Sequence, residues 1–148
     1  MSIQSPAGDS RTLAMTAALL AIFTSILASN LPTPLYAVWQ ARWGFSSTAL
    51  TGVFAIYVLG VVSMLLTIGT LSDRLGRRQV LIPGLLFIGG GAVMFLLADG
   101  INSLAIARLL TGVGTGLVTG AASASVMELE PNGNWNRAAA LTAVFFTG

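Results

Sequence analysis

Long apolar runs separated by short polar stretches organise this chain. Residues 13–31, 50–71, 80–98 and 104–127 are each long and apolar enough to form a helix across a bilayer. The first holds 19 residues, which at 1.5 Å rise per residue cover about 28 Å. Residues 1–12 are polar and read as a short disordered cytoplasmic tail. A cleaved signal peptide fits poorly, because Arg11 is accompanied by Asp9 and Ile26-Leu27-Ala28 is a poor cleavage site. A fifth apolar run, 138–148, reaches only about 17 Å, little more than half of a ~30 Å hydrocarbon core. The expectation is therefore a fragment of a longer chain or a truncated product.

Breaks and small residues refine this outline. Ser29, Asn30, Pro32 and Pro34 should interrupt the outer end of the first helix, since proline lacks a backbone donor and frees carbonyls. Such an end either lines a cavity or simply meets water. Tyr36, Trp39 and Trp43 fit an interfacial aromatic belt. Ser47 or Thr48 can cap the second span. Gly89-Gly90-Gly91 marks a flexible or tightly packed middle of the third. In the fourth, Gly112, Gly116 and Gly120 recur every four residues, and Ala124 continues their stripe. They share one face and should let another helix approach backbone to backbone.

Composition confirms the solvent. Of 148 residues, 55% are hydrophobic and 8% charged, against about 25% charged in a soluble domain. A formal charge of +2, with the arginines beside spans, excludes a nucleic-acid surface despite the high pI. With no cysteine or histidine, disulfides and the usual thiolate or imidazole metal sites are excluded, and no cofactor or metal is expected. No nucleophile–base constellation or phosphate loop with a lysine is present, so the chain does not read as an enzyme. Arg11, Arg74, Arg77, Arg78 and Arg137 fall on one side of the bilayer and Arg42 on the other. That excess places the N-terminus in the cytoplasm of a multi-pass protein of the cell (inner) membrane.

The densest charge is Gly69-Thr-Leu-Ser-Asp-Arg-Leu-Gly-Arg-Arg, with Asp73, Arg74, Arg77 and Arg78 inside six residues. Gly76 suits the close of the preceding helix, because glycine tolerates positive φ. Asp73 near a helix C-terminus faces the negative end of the dipole and needs a partner, either an arginine or another helix's N-terminus. An ordinary basic loop that fixes topology would need neither the aspartate nor the glycines. The spacing G-x-L-x-D-R-x-G-R-R resembles the loop between helices two and three of the major facilitator superfamily, with Ser72 where that family more often has alanine. In that family the aspartate resembles a gating latch onto a helix of the second half. That resemblance implies that Asp73's partner lies in a C-terminal half absent from this chain; pairing to Arg74 or Arg77 is the alternative.

Arg108 is the one charge inside a span, four residues past Leu104. It either snorkels to the outer interface or faces a cavity, binding an anionic group or lowering a neighbouring carboxyl's pKa. Its context, Arg108-x-x-x-Gly112-x-Gly114-x-Gly116, resembles the family's fourth-helix motif, linked in proton-coupled members to proton transfer. Glu128, Pro131 and Arg137 resemble the inner end of helix four, with a longer gap before the arginine, and Glu128, Glu130 and Arg137 could join the basic loop in a salt-bridge network. Asn30, in or near hydrocarbon, is placed with Arg108 on a substrate or proton path.

The resemblance implies an all-α membrane fold, four complete transmembrane helices plus a truncated fifth of the N-terminal bundle. It implies a secondary transporter working by alternating access, in the lipid bilayer, on a small-molecule substrate and coupled to protons. Efflux is the first expectation. Uptake of a sugar or organic acid, and a small four-span interaction protein without transport, are the alternatives.

Overall fold

A computed structural model of the chain describes residues 6–129, and within them the side chains of 13, 15–67, 76 and 79–124. Five helices follow in order: α1 Pro6–Asn30, α2 Leu35–Trp43, α3 Ser47–Leu75, α4 Arg77–Leu96 and α5 Ile101–Leu129. No strand occurs among the described residues. Four stretches are long and apolar enough to cross a membrane: Met15–Trp43, Ser47–Thr67, Gln79–Leu96 and Ile101–Ala124. The run 138–148 lies outside the described residues.

The boundaries follow local chemistry. α1 is already helical from Pro6, where a disordered tail to Thr12 was expected. A proline is harmless in a helix's first turn, where its missing N–H would have no partner. The expected break is present. Thr33 N–H turns back to Asn30 O at 2.9 Å, Leu35 N–H to Pro32 O and Tyr36 N–H to Thr33 O, and α2 then resumes. α2 ends on Gly44, whose φ of +66° closes the helix with its N–H on Gln40 O. The cap of α3 is Ser46, not Ser47 or Thr48, because its Oγ accepts Ala49 N–H at 3.1 Å, the N-cap to N3 geometry. Gly76, at φ +86°, is the single residue between α3 and α4. A joint this short makes the two spans cross in opposite directions.

α5 is the central helix, with 67% of its apolar window buried against 11–28% for the other three. Residue pairs along its length give its neighbours' directions. Ala18 with Ala122 and Ser29 with Thr115 make α1 antiparallel to it. Phe95 with Leu104, and Gly84 beside Gly114 and Leu117, make α4 antiparallel. Phe54 beside Arg108, Tyr57 beside Gly112 and Met64 beside Gly116 make α3 parallel. Small residues permit this crowding, because helices that share no solvent-driven hydrophobic force associate by close backbone packing. Gly112 and Gly116 lie against α3, while Gly114 lies against Gly84 and Ile88 of α4. Gly120 is half-buried. Of the triple glycine only Gly91 meets α5, beside Thr111; Gly89 and Gly90 face open space. α1 and α3 both pack on α5 but make no extensive contact with each other among the described residues.

Candidate functional site: a buried arginine at the helix break

Arg108 sits seven residues into α5, roughly 10 Å from its N-terminal end. α5 begins at Ile101, three residues earlier than the expected span, so Arg108 is deeper than its sequence position suggested. It does not snorkel. The residue is 2% exposed and points into the bundle. Its Nε donates to Tyr36 Oη and its Nη1 donates to the Ser29 carbonyl at 2.8 Å.

The break in the first span makes both contacts possible. In an unbroken helix the Ser29 carbonyl would accept from Thr33 N–H, which here goes to Asn30 O instead. Arg108 supplies the missing donor. Tyr36 stands in the first turn of α2, beyond the two prolines, and the turn brings it back over α5, where it is 3% exposed. One guanidinium thus grips both sides of the interrupted helix. Tyr36 is therefore not part of an interfacial belt. Trp39 and Trp43 are half-buried and stacked, 6.0 Å apart at 3°, and Trp39 stacks in turn on Phe95 at 5.9 Å.

Four aromatic rings surround the guanidinium. Its Cζ lies 5.1 Å from the Phe54 centroid, 5.2 Å from Tyr36, 5.3 Å from Tyr57 and 5.5 Å from Phe95. A charged residue at a bilayer's centre costs about 2.5–3.5 kcal/mol on insertion scales, and a desolvated cation–π contact returns up to ~2 kcal/mol. The rings and two hydrogen bonds can therefore keep the cation in place. Below it, Ser29 Oγ donates to Ser25 O at 2.8 Å and lies 3.1 Å from Thr115 Oγ1, while Tyr57 Oη donates to Ser29 Oγ at 3.3 Å. These hydroxyls tie α1, α3 and α5 together. On the far side of Phe95 and Trp39 runs an apolar groove of about 490 Å³, walled by Leu27, Leu31, Leu35 and Leu96.

Of the residues singled out from sequence, Arg108 is the centre of this cluster. Asn30 is not in it: its side chain is exposed and its Nδ2 donates to Ile26 O at 2.9 Å within its own helix. Its neighbour Ser29 takes the place expected for it. Gly69, Asp73, Arg74, Arg77 and Arg78 lie on the adjoining ends of α3 and α4 around Gly76, and their side chains are outside the described set, as is that of Glu128 on α5. Glu130, Pro131 and Arg137 lie outside the described residues. Sequence reading missed Ser29, Tyr36, Phe54, Tyr57, Phe95 and Thr115. The available signal was weak: small hydroxyls and aromatics within apolar runs.

Residues 18–148 match the family model described as Major Facilitator Superfamily. The chain is 30% identical over 128 residues to the chloramphenicol resistance protein CraA of Acinetobacter baumannii, covering 86% of this chain and 31% of that protein. It is 33% identical over 90 residues to the 4-hydroxybenzoate transporter PcaK of Pseudomonas putida, covering 61% of this chain and 20% of PcaK. It is 32% identical over 102 residues to the inner membrane transport protein YajR of Escherichia coli, covering 68% and 22%. The chain thus spans about a fifth to a third of the lengths of these relatives. No solved structure gives a significant match.

Proposed function

The chain belongs to the major facilitator superfamily, and from that premise we propose that it forms part of a secondary transporter that expels small molecules by alternating access at the expense of a proton gradient. It is a multi-pass membrane protein of a transporter family, not an enzyme. The observation that carries the reading is Arg108. A buried cation at membrane depth is costly, and such residues mark substrate or ion pathways. Here it stands at the centre of the bundle, bound to the Ser29 carbonyl that the helix break frees, the type of discontinuity that lines transporter sites. The similarity to a chloramphenicol resistance protein supports efflux.

In this reading the N-terminus and the Asp73–Arg78 joint face the cytoplasm, on the strength of the arginine excess there. Asp73, Arg74, Arg77 and Arg78, with Glu128, Glu130 and Arg137, form and break ion pairs as the protein changes conformation. Exposed pairs contribute only about 0–1 kcal/mol each, which suits a gate. The proton is carried outside the described spans, which contain no Asp or Glu. The missing partner of this bundle is a second half that completes the site.

Cells producing this chain together with the second half that completes its site should accumulate less chloramphenicol than control cells, and a protonophore should abolish the difference. Equal accumulation, with the protein present in the membrane, refutes the efflux reading. The similarity to PcaK favours a second reading, uptake of an organic acid. Faster entry of 4-hydroxybenzoate into the same cells would select it.

A further inference from the structure

We infer that the apolar groove between α1, α2 and α4 is a binding site for a neutral, ring-bearing alcohol or phenol drawn from the lipid phase, separate from the Arg108 cluster and independent of the direction of transport. Its chemistry begins with the carbonyls of the helix break. Leu27 O accepts Leu31 N–H, Asn30 O accepts Thr33 N–H, Pro32 O accepts Leu35 N–H and Thr33 O accepts Tyr36 N–H. Ser29 O accepts from Arg108 Nη1. Two carbonyls are left over. The helical donor of Ala28 O would be Pro32, which has no N–H. That of Leu31 O would be Leu35 N–H, which Pro32 O has taken. Neither oxygen has another donor among the described residues.

Ala28 and Leu31 are both wall residues of the groove. They flank Ser29, so they lie level with Arg108, roughly 10 Å inside the N-terminal end of α5. Hydrocarbon at that depth supplies no donor, and an unpaired backbone carbonyl there is costly. Acyl chains can fill the groove but cannot answer these oxygens. The groove is open to the membrane, since Leu27, Leu31, Leu35 and Leu96 along it are exposed. Its volume of about 490 Å³ falls in the range of small-molecule sites. Trp39 and Phe95, stacked 5.9 Å apart at 9°, give it an aromatic wall that suits a ring-bearing body. The Thr24 hydroxyl on the same wall is spent on Leu20 O. The occupant must therefore be the donor. Arg108 Cζ lies 5.5 Å from the Phe95 centroid, and a second cation so near it is disfavoured by repulsion. A neutral hydroxyl meets both conditions.

The test compares para-bromophenol with para-bromoanisole, the same ring with its donor methylated, on this chain joined to the second half that completes its site, in lipid nanodiscs. Bromine quenches tryptophan fluorescence at contact, and Trp39 on the groove wall is the reporter. The phenol should quench saturably at a Kd about tenfold below that of the anisole, and Trp39→Phe should remove that component. Pro32→Ala returns an N–H to Ala28 O and should cut the preference for the phenol about threefold or more. Ala92→Phe fills the groove from α4 and should remove saturable quenching by both probes. Quenching that merely follows the partition of each probe into lipid, equal affinity for both, an unchanged preference in Pro32→Ala, or saturable quenching that survives Ala92→Phe would each overturn the site. Binding to the 148-residue chain alone that is lost once the second half is joined would also overturn it, because a further span would then cover the groove. The wild-type comparison stands even where a variant fails to fold.

Discussion

Replacing Gly112 by alanine tests the packing that builds the site. An added Cβ would stand 2.4 Å from the Tyr57 carbonyl oxygen and 3.2 Å from its C and Cα. All three are backbone atoms of α3, so no side-chain rotation relieves the clash. Ordinary contact begins near 3.4 Å, and α3 must withdraw by about 1 Å. A gap of that size forfeits roughly a quarter to a half of the dispersion energy of the atoms around it, and overpacking of this kind costs about 1–3 kcal/mol. Alanine's better helix propensity offsets up to ~1 kcal/mol. The control removes that term. Gly89→Ala is the same change inside α4, with nothing within 4 Å of the new Cβ. The difference between the two variants should therefore be about 2 kcal/mol, or about thirtyfold in the unfolding equilibrium constant. Reversible unfolding in mixed micelles, followed by helical circular dichroism, measures it. If Gly112→Ala proves as stable as Gly89→Ala, α3 and α5 do not pack as described, and the placement of Tyr57 beside Arg108 fails with them.

Other perturbations probe single links. Tyr36→Phe removes the acceptor of Arg108 Nε and leaves a charged donor unsatisfied, so it should cost about 1.5–3 kcal/mol in the same unfolding assay, against no change for a Tyr36 hydroxyl that does nothing. Gly76→Ala places a side chain at φ +86°, ψ 144°, a region nearly exclusive to glycine, and should cost about 1–3 kcal/mol; a neutral result would mean that the α3–α4 joint adopts another conformation. Ser46→Ala should cost about 1 kcal/mol through loss of the α3 cap, where Ser47→Ala should not. Arg108→Ala should abolish transport while leaving membrane insertion intact, and unchanged flux would refute its role.

The spans were legible because hydrocarbon thickness sets a length that can be counted along the chain. The break after Asn30 was legible too, since Pro32 and Pro34 withhold donors at known places. What the break accomplishes was not. Apolar runs carry almost no facing information, so nothing marked Ser29 rather than Asn30 as the inward residue. The two differ by one position and by a hundred degrees around the helix. Tyr36 was misassigned for a related reason: an aromatic near a span's end usually meets the interface, and only the turns over 31–34 set it against Arg108. The glycine stripe was legible as close packing, but its partners were not: Gly112 and Gly116 meet α3, and the intervening Gly114 meets α4.

The dependence of α1 and α3 on α5, with little direct contact between them, bears on how the protein is made. Spans leave the ribosome in order, so α1, α3 and α4 enter the bilayer before the helix that joins them exists. Each is long and apolar enough to reside there alone. Until α5 arrives, the carbonyl of Ser29 lacks its donor and Tyr36 its partner, and the early helices remain free to drift or to meet the wrong neighbour. Biogenesis of this bundle is therefore paced by the synthesis of its fourth span, and a nascent chain arrested before Ile101 should crosslink promiscuously where one extended past Ala124 does not.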